Sequence, residues 1–331
     1  MRVLVVMNFG PDEQTPQRGR WVVDQVEALK VLGIEVELFS FPPGRDQYVP
    51  ATRQIRTLLG REEFDLVHAH YGLAGWCALL AGASPLVVTF HGTDVRHPVV
   101  GPGSRLLARR LALAAGASSA LFGEEAGRAG LPLLPGRNAV LPCGADLSRF
   151  APQPRAAARR SLGLDPEGRF LFFPADPARP EKRVDRARQF AERVGVELLT
   201  GGGIEPDRMS AWVNAADAVV VTSDYEGFGL ACLESLACEV PVMTTPVGIA
   251  PSLLGSLPNT LCAPFDLKTW SEFAAGLFED PDPRTPGRAR AESLSAMRMA
   301  RRVLLAYQEV LAPGKVTGVS VADFSHDGEL R

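Results

Sequence analysis

The 331 residues are enough for about two domains of ~150 residues, each with a core of its own. A 46% apolar and 22% charged composition excludes a disordered chain, and a net charge of −3 excludes a general electrostatic pull toward nucleic acid. Five cysteines (Cys77, Cys143, Cys232, Cys238, Cys262), odd in number and without a Cys-x-x-Cys pair, exclude a disulfide framework or zinc ribbon and point to a reducing compartment. The chain opens on Met-Arg-Val-Leu-Val-Val, a strand-like start rather than a signal peptide. The most apolar stretch, Trp76–Phe90, is interrupted by Ser84 and Pro85 and is too short for a bilayer span. The expectation is a cytoplasmic two-domain protein. Only four of the 35 basic residues are lysines (Lys30, Lys182, Lys268, Lys315), so a lysine isolated in a loop stands out.

Short apolar runs alternate with helical patterns, the signature of parallel α/β layers. In the first half, strands are predicted at Arg2–Asn8, Glu35–Phe41, Asp65–His70, Pro85–His91, Ser119–Gly123 and Asn138–Pro142. Val22, Val23, Val26, Leu29 and Leu32 repeat at helical spacing within Trp21–Leu32, which Gly33 terminates. Arg105–Ala115 has the same pattern. Its Arg105, Arg109 and Arg110 beside Leu106, Leu107 and Leu111 suit either a helix packed on the sheet or a weak membrane-surface contact. After Pro152 and Pro154 a second series begins. Strands are predicted at Phe170–Pro174, Val196–Thr200, Ala218–Ser223, Pro241–Thr244 and Thr260–Ala263, with helices at Glu181–Val194, Asp207–Ala216, Leu230–Cys238 and Leu267–Glu279. The pattern divides into domains at 1–147 and 148–287, a final helix near 288–312 that returns across the junction, and a mobile tail at 313–331. Two doubly wound units would leave a cleft between their strand carboxyl ends, where ligands of such sheets sit.

The most informative stretch is Ser223-Asp-Tyr-Glu-Gly-Phe-Gly-Leu-Ala-Cys-Leu-Glu234. A β-run feeds a glycine turn and then a helix starting near Gly229. The amides of Phe228, Gly229 and Leu230 would project from its N-terminus as an anion site. Glu234 follows roughly 7–8 Å along the axis at 1.5 Å per residue, about the distance from a diphosphate to the ribose of one nucleotide. Glu226 precedes the helix, on the side where a sugar would lie. A nucleoside diphosphate-sugar would meet a carboxylate at each end, both accepting from hydroxyls. The competing interpretation is two ordinary solvated glutamates.

The Glu226-x7-Glu234 spacing, followed by Ala237-Cys-Glu-Val-Pro-Val-Met-Thr-Thr-Pro-Val-Gly248, resembles the signature of retaining family-4 glycosyltransferases of the GT-B fold. The resemblance extends to about residue 312. It implies two Rossmann-like parallel-sheet domains facing a central cleft, an acceptor-binding N-terminal one and a donor-binding C-terminal one. It also implies no metal or other cofactor beyond the nucleotide-sugar co-substrate. His91-Gly-Thr-Asp94 resembles the family's His-Gly-x-Asp loop, which makes His91 and Glu226 the expected catalytic residues. Arg179-Pro-Glu-Lys182 resembles the Arg-to-Lys segment that neutralises the donor diphosphate, one residue shorter, with Arg183 as an alternative. Gly19 matches the glycine that approaches the diphosphate from the first domain, and Pro142-Cys-Gly-Ala-Asp146 matches an architectural motif before the linker. Glu234 is the expected ribose ligand. The short Thr200–Asp217 interval implies a strand–helix pair fewer in the second domain, where part of a base pocket is normally built.

The expected activity is transfer of a sugar, with retention, to a hydroxyl of a glycan, lipid-linked or small-molecule acceptor, without nucleic-acid partners. Localisation is expected to be cytoplasmic, with peripheral contact at the inner membrane face as an option. The rivals are a nucleotide-sugar epimerase on the same fold and a non-catalytic sugar-nucleotide-binding subunit.

Overall fold

The computed structural model describes residues 1–12, 15–125 and 128–314. Residues 315–331, nearly all of the expected tail, lie outside the described residues. Two parallel sheets follow one another along the chain. The first contains β1 (Arg2–Met7), β2 (Glu35–Ser40), β3 (Leu66–His70), β4 (Leu86–Phe90) and β5 (Leu113–Gly116). A short antiparallel pair, β6 (Glu124–Glu125) and β7 (Arg128–Ala129), precedes its last strand, β8 (Asn138–Val140). Helices α1 (Arg20–Val31), α2 (Tyr48–Arg61), α3 (Gly72–Ala81), α4 (Thr93–Arg96) and α5 (Gly101–Ala108) connect these strands. The sheet order is β2-β1-β3-β4-β5-β8.

The second unit opens with α6 (Arg155–Leu162). Its sheet, in the order β10-β9-β11-β12-β13, is built from β9 (Phe170–Phe173), β10 (Glu197–Thr200), β11 (Ala218–Val221), β12 (Val242–Thr244) and β13 (Thr260–Cys262). The connecting helices are α7 (Val184–Val194), α8 (Pro206–Ala215), α9 (Leu230–Ala237), α10 (Ala250–Leu254) and α11 (Leu267–Leu277). The chain then runs through α12 (Arg288–Ser293) and α13 (Ala296–Leu311). Within the second sheet α8 leads directly from β10 to β11 on the far side of β9, leaving five strands. Val3–Met7 and Phe170–Phe173 are buried on both faces, as parallel strands covered by helices must be. These are two Rossmann-like parallel-sheet domains, the GT-B architecture.

In both sheets the chain reverses direction beside its first strand, between β1 and β3 and between β9 and β11. Loops leaving the carboxyl ends of those strands therefore flank a crevice. The two crevices face each other and touch: a Cβ at Gly92 would strike the Tyr225 hydroxyl, and one at Gly227 would strike the His91 carbonyl.

Several boundaries differ from expectation. The predicted helix Arg105–Ala115 stops at Ala108, and Leu113–Gly116 is strand β5. The sequence Leu-Ala-Ala-Gly lacks β-branched residues, but pairing with β4 and β8 in the sheet centre overrides that local preference. Leu107 and Leu111 are buried, and Arg105 bonds the Val95 carbonyl. The expected strand at Ser119–Gly123 begins instead as a 3₁₀ turn, Ser119–Leu121. Helix α3 lacks helical periodicity because its Gly, Ala and Leu residues are apolar almost all round. The predicted helix from Glu181 is split: Pro180–Lys182 forms a 3₁₀ turn and Arg183, at φ 55°, breaks it from α7. The final helix is also two. Ser295 caps α13, its side chain accepting from the Arg298 amide.

Helix α13 belongs to the first sheet, not the second. Its Ala300, Val303, Ala306 and Tyr307 share a core with Val3, Val5, Val22, Val26 and Leu29. Burying each large side chain there contributes roughly 1.5–3 kcal/mol. The crossing is pinned at the linker, where the Ala145 amide donates to Leu294 and the Ala296 amide donates to Ala145.

Candidate active site between the two sheet edges

On the second sheet, two loops meet. The Thr222 hydroxyl, at the end of β11, donates to the carbonyls of Lys182 (3.1 Å) and Arg183 (2.8 Å), and the Asp224 amide donates to Glu181. These bonds stitch the Pro180–Arg183 loop to the Ser223–Gly229 loop and carry the Lys182 side chain inward. Its ammonium bonds both carboxylate oxygens of Glu226 at 2.6 Å, and the Ser223 hydroxyl donates to Oε1 of the same group at 2.7 Å. The pair is nearly buried, at 10% and 14% exposure. Removing one member would strand the other charge in a poor solvent, at a cost of about 3–5 kcal/mol.

Gly229, at φ 96°, makes the turn into α9 that only glycine adopts readily. Gly248 packs against the Phe228 carbonyl, which accepts from the Ile249 amide, fixing the turn from behind. Among the described residues, the amides of Phe228, Gly229 and Leu230 donate to no protein acceptor. They stand at the positive end of the α9 dipole.

The expected cations do not converge. Arg179 is 54% exposed and pairs with Glu181 at 2.6 Å, while Arg183 pairs with Asp185 and Asp224. Lys182 alone meets Glu226. Glu234, on α9, lies within electrostatic reach of Arg149 in the linker and Asp24 on α1. Burial pushes its carboxyl up to about 8, against the Arg149 guanidinium and with the Asp24 charge. Asp24 is itself held by Arg149 (2.6 Å) and Arg20 (2.9 Å).

On the first sheet, Asp94 organises the loop that carries His91. Its carboxylate accepts from the amides of His91 (3.0 Å), Gly92 (2.9 Å) and Gly72 (2.9 Å), joining this loop to the start of α3. Burial raises Asp94 to about 6, with those amides pulling the other way. The His91 ring lies 4.6 Å from Tyr71 and 5.8 Å from Trp21, centroid to centroid. His91 Nε2 is bonded to His70 Nδ1 at 3.0 Å. Burial drops the His91 imidazole to about 3, so it is neutral near pH 7. Gly19, at φ 66°, caps α1, and a Cβ there would strike the Phe9 carbonyl. The Gln17 side chain, from the same loop, donates to the Ile204 carbonyl of the second domain at 3.0 Å.

The sequence singles out His91, Arg179, Lys182, Glu226, Glu234, Gly19 and the Phe228–Leu230 turn. It gives no role to Ser223, Asp94, Asp24 or Arg149. Asp94 stands in the His-Gly-Thr-Asp motif, but its side chain accepts from amides two and three residues back, opposite to the forward-reaching aspartate turn, so local turn rules do not give its role. The Asp24–Arg149 pair joins residues far apart in sequence and leaves no local signal.

Two family models match the chain. The model for Glycosyltransferase Family 4 matches residues 2–149, and that for Glycosyl transferases group 1 matches residues 180–292. The chain belongs to the family-4 glycosyltransferases. Among curated relatives, D-inositol 3-phosphate glycosyltransferase 2 of Catenulispora acidiphila is 28% identical over 66% of this chain and 63% of its own length. D-inositol 3-phosphate glycosyltransferase of Thermobispora bispora is 26% identical over 85% of each chain. The chain thus spans just under two thirds of the first relative. Among solved structures, sucrose-phosphate synthase from Thermosynechococcus elongatus superposes with a TM-score of 0.73 at 18% identity, covering 94% of this chain and 100% of that one. HepE from Anabaena, solved in complex with UDP, gives a TM-score of 0.66 at 16% identity over 93% and 100%. At such identities the likeness is one of fold. Among the described residues no helix is long and apolar enough to cross a membrane.

Proposed function

We propose that this family-4 member transfers a sugar, with retention of configuration and without a metal ion, from a nucleoside diphosphate to an acceptor hydroxyl. The diphosphate docks on the Phe228–Leu230 amides and on Lys182, with Gly19 allowing close approach from the first domain. Glu234 takes the ribose, and the sugar lies between Glu226 and His91. The acceptor oxygen bonds to the anomeric carbon on the face from which the diphosphate departs. The phosphate oxygen released by that cleavage takes the acceptor proton, so no strong protein base is required. The leaving group gains negative charge as its bond breaks, and Lys182 with the helix amides stabilises that charge. Five free thiols suit work in a reducing compartment.

The observation that carries this proposal is the nearly buried Lys182–Glu226 pair, its glutamate on a loop that runs into three undonated amides and whose Tyr225 and Gly227 touch the His91 loop. An ammonium has three donors, so Lys182 can donate to a phosphate oxygen while keeping Glu226 oriented toward the sugar.

The test incubates the protein with UDP-, GDP-, ADP- and TDP-sugars. UDP-glucose comes first because HepE was solved with it, and D-inositol 3-phosphate joins the acceptors because it names the relatives. The expected result is nucleoside diphosphate release that depends on acceptor, survives EDTA, and yields an α-linked product by NMR. Epimer or free sugar without acceptor would favour the epimerase reading, and binding without turnover would favour a non-catalytic subunit. Activity lost with EDTA and restored by Mg²⁺ or Mn²⁺ would overturn metal independence.

A further inference from the structure

His91 is the end of a chain of buried polar groups rather than an isolated ring. His70, the last residue of β3, stacks on it with centroids 5.3 Å apart and planes 25° apart. His70 Nδ1 faces His91 Nε2 at 3.0 Å, and His70 Nε2 faces the Gln25 amide nitrogen at 3.4 Å. Behind His70 lies His68, 4.4 Å away between centroids. Its two nitrogens are both engaged, Nδ1 by the Tyr307 hydroxyl at 2.6 Å and Nε2 by the Thr89 hydroxyl at 2.8 Å. Among the described residues, His91 Nδ1 is the nitrogen of this column left without a protein partner.

Burial holds all three rings neutral: His68 and His91 fall to about 3, and His70 falls well below its ordinary value. A neutral imidazole has one donor and one acceptor nitrogen, so each bond in the chain dictates the next. The Gln25 amide nitrogen only donates, which makes His70 Nε2 an acceptor. The proton of His70 is then on Nδ1, and it is given to His91 Nε2. That leaves the His91 proton on Nδ1, the free nitrogen.

We propose that His70, oriented by Gln25, is a positioning residue that locks His91 as the Nδ1–H tautomer and offers that N–H to the donor sugar. The second half of this statement rests on the transferase reading above; the first half does not. Column and cleft are mechanically joined, because the backbone of His91 and Gly92 packs against Tyr225 and Gly227, next to Glu226. Losing the lock would leave His91 in place but with its proton on either nitrogen, so a fraction of molecules would present a bare acceptor to a sugar hydroxyl.

The tautomer is read directly in the full-length, ¹⁵N-labelled protein without any ligand, from long-range ¹H–¹⁵N correlations at neutral pH. The expected pattern is His91 and His70 both neutral and both protonated on Nδ1. A His91 protonated on Nε2 overturns the proposal. In His70→Asn, whose amide N–H takes the place of the Nδ1–H, His91 should keep its wild-type pattern. In His70→Phe, which keeps a stacked ring but no donor, that pattern should be lost, and an unchanged pattern overturns the proposal. If His70→Phe fails to fold, Gln25→Leu makes the same test from the other end of the chain. Turnover is then measured with whichever nucleotide-sugar of the donor screen is active. His70→Phe should lower kcat by about 10- to 100-fold with little change in KM, and His70→Asn should stay within about threefold. A His91→Ala variant with full turnover would sink the role of His91 toward the sugar, while the spectra would still decide whether Gln25 and His70 set its tautomer.

Discussion

The two sheets reverse direction at equivalent places, yet the edges they bring together are chemically opposite. The first sets neutral groups behind the cleft, three imidazoles held uncharged by burial, two hydroxyls and an amide, and the carboxylate of its His91 loop, Asp94, is engaged by backbone amides. The second offers charge and oriented dipoles, a buried lysine–glutamate pair and the bare amides of a helix N-terminus. The contrast teaches that one strand order can serve two tasks, because the order fixes where loops emerge and not what they carry. Charge belongs where an anion departs. Neutral hydrogen bonding belongs where a sugar must be oriented without attracting water or counter-ions.

The contrast is most directly broken at Lys182. Lys182→Ala is expected to lower kcat/KM by about 30- to 1000-fold, or roughly 2–4 kcal/mol of transition-state stabilisation. It should also lower the melting temperature, because Glu226 would be left buried without its counter-ion. Pairing it with Glu226→Leu should recover much of that lost stability but none of the activity, since neither charge is then stranded. A double variant no more stable than Lys182→Ala would show that the two charges do not act as a pair.

A smaller effect is expected at Glu234, and it appears in pH dependence. Its carboxyl titrates near 8 in the fold, above its ordinary value. Between about 4.5 and 8 this group therefore holds a proton in the folded protein that it has released in the unfolded chain, and its contribution to stability falls as pH rises through that window. Glu234→Gln should flatten this decline, measured as melting temperature from pH 6.5 to 8.5, and should weaken donor binding more than turnover. A Glu234→Gln variant that loses stability between pH 6.5 and 8.5 as steeply as the wild type would contradict the environment described for this group; below about 6.5 the three buried histidines oppose this decline, since each adds stability as pH rises.

The smallest effect should come from Arg179. It is half exposed and already paired with Glu181, and water screens such pairs to under about 1 kcal/mol. Arg179→Ala should cost less than about fivefold in kcat/KM. A loss comparable to that of Lys182→Ala would mean that the guanidinium leaves Glu181 to join the diphosphate when the donor binds.

The sheets were legible in the sequence because strands buried on both faces read as apolar runs, as at Val3–Met7 and Val219–Val221. Strand β5 was not, since Leu-Ala-Ala-Gly has the composition of a helix and its identity is set by neighbours distant in sequence. The interval from the helix start to Glu234 could be converted into a distance because it lies on one helix, with Glu226 just before it. The partners of those carboxylates could not. Lys182 reaches Glu226 across 44 positions, and Arg149 reaches Asp24 across 125, through contacts that the fold alone creates. Arg183 shows the limit of spacing rules: a single residue at φ 55° turns it to Asp185 and Asp224 while Lys182 points inward.

Helix α13 gives this architecture an order of assembly. Domains of a growing chain tend to fold as their residues emerge, N-terminal first. Here the sheet made from residues 2–140 keeps an apolar face uncovered until Ala300, Val303 and Ala306 arrive. The second sheet, by contrast, has all of its strands by residue 262. The half synthesised first is thus completed last. The same late helix brings the Tyr307 hydroxyl to His68, so a nascent chain cut short before that residue would lack the far anchor of its own histidine column.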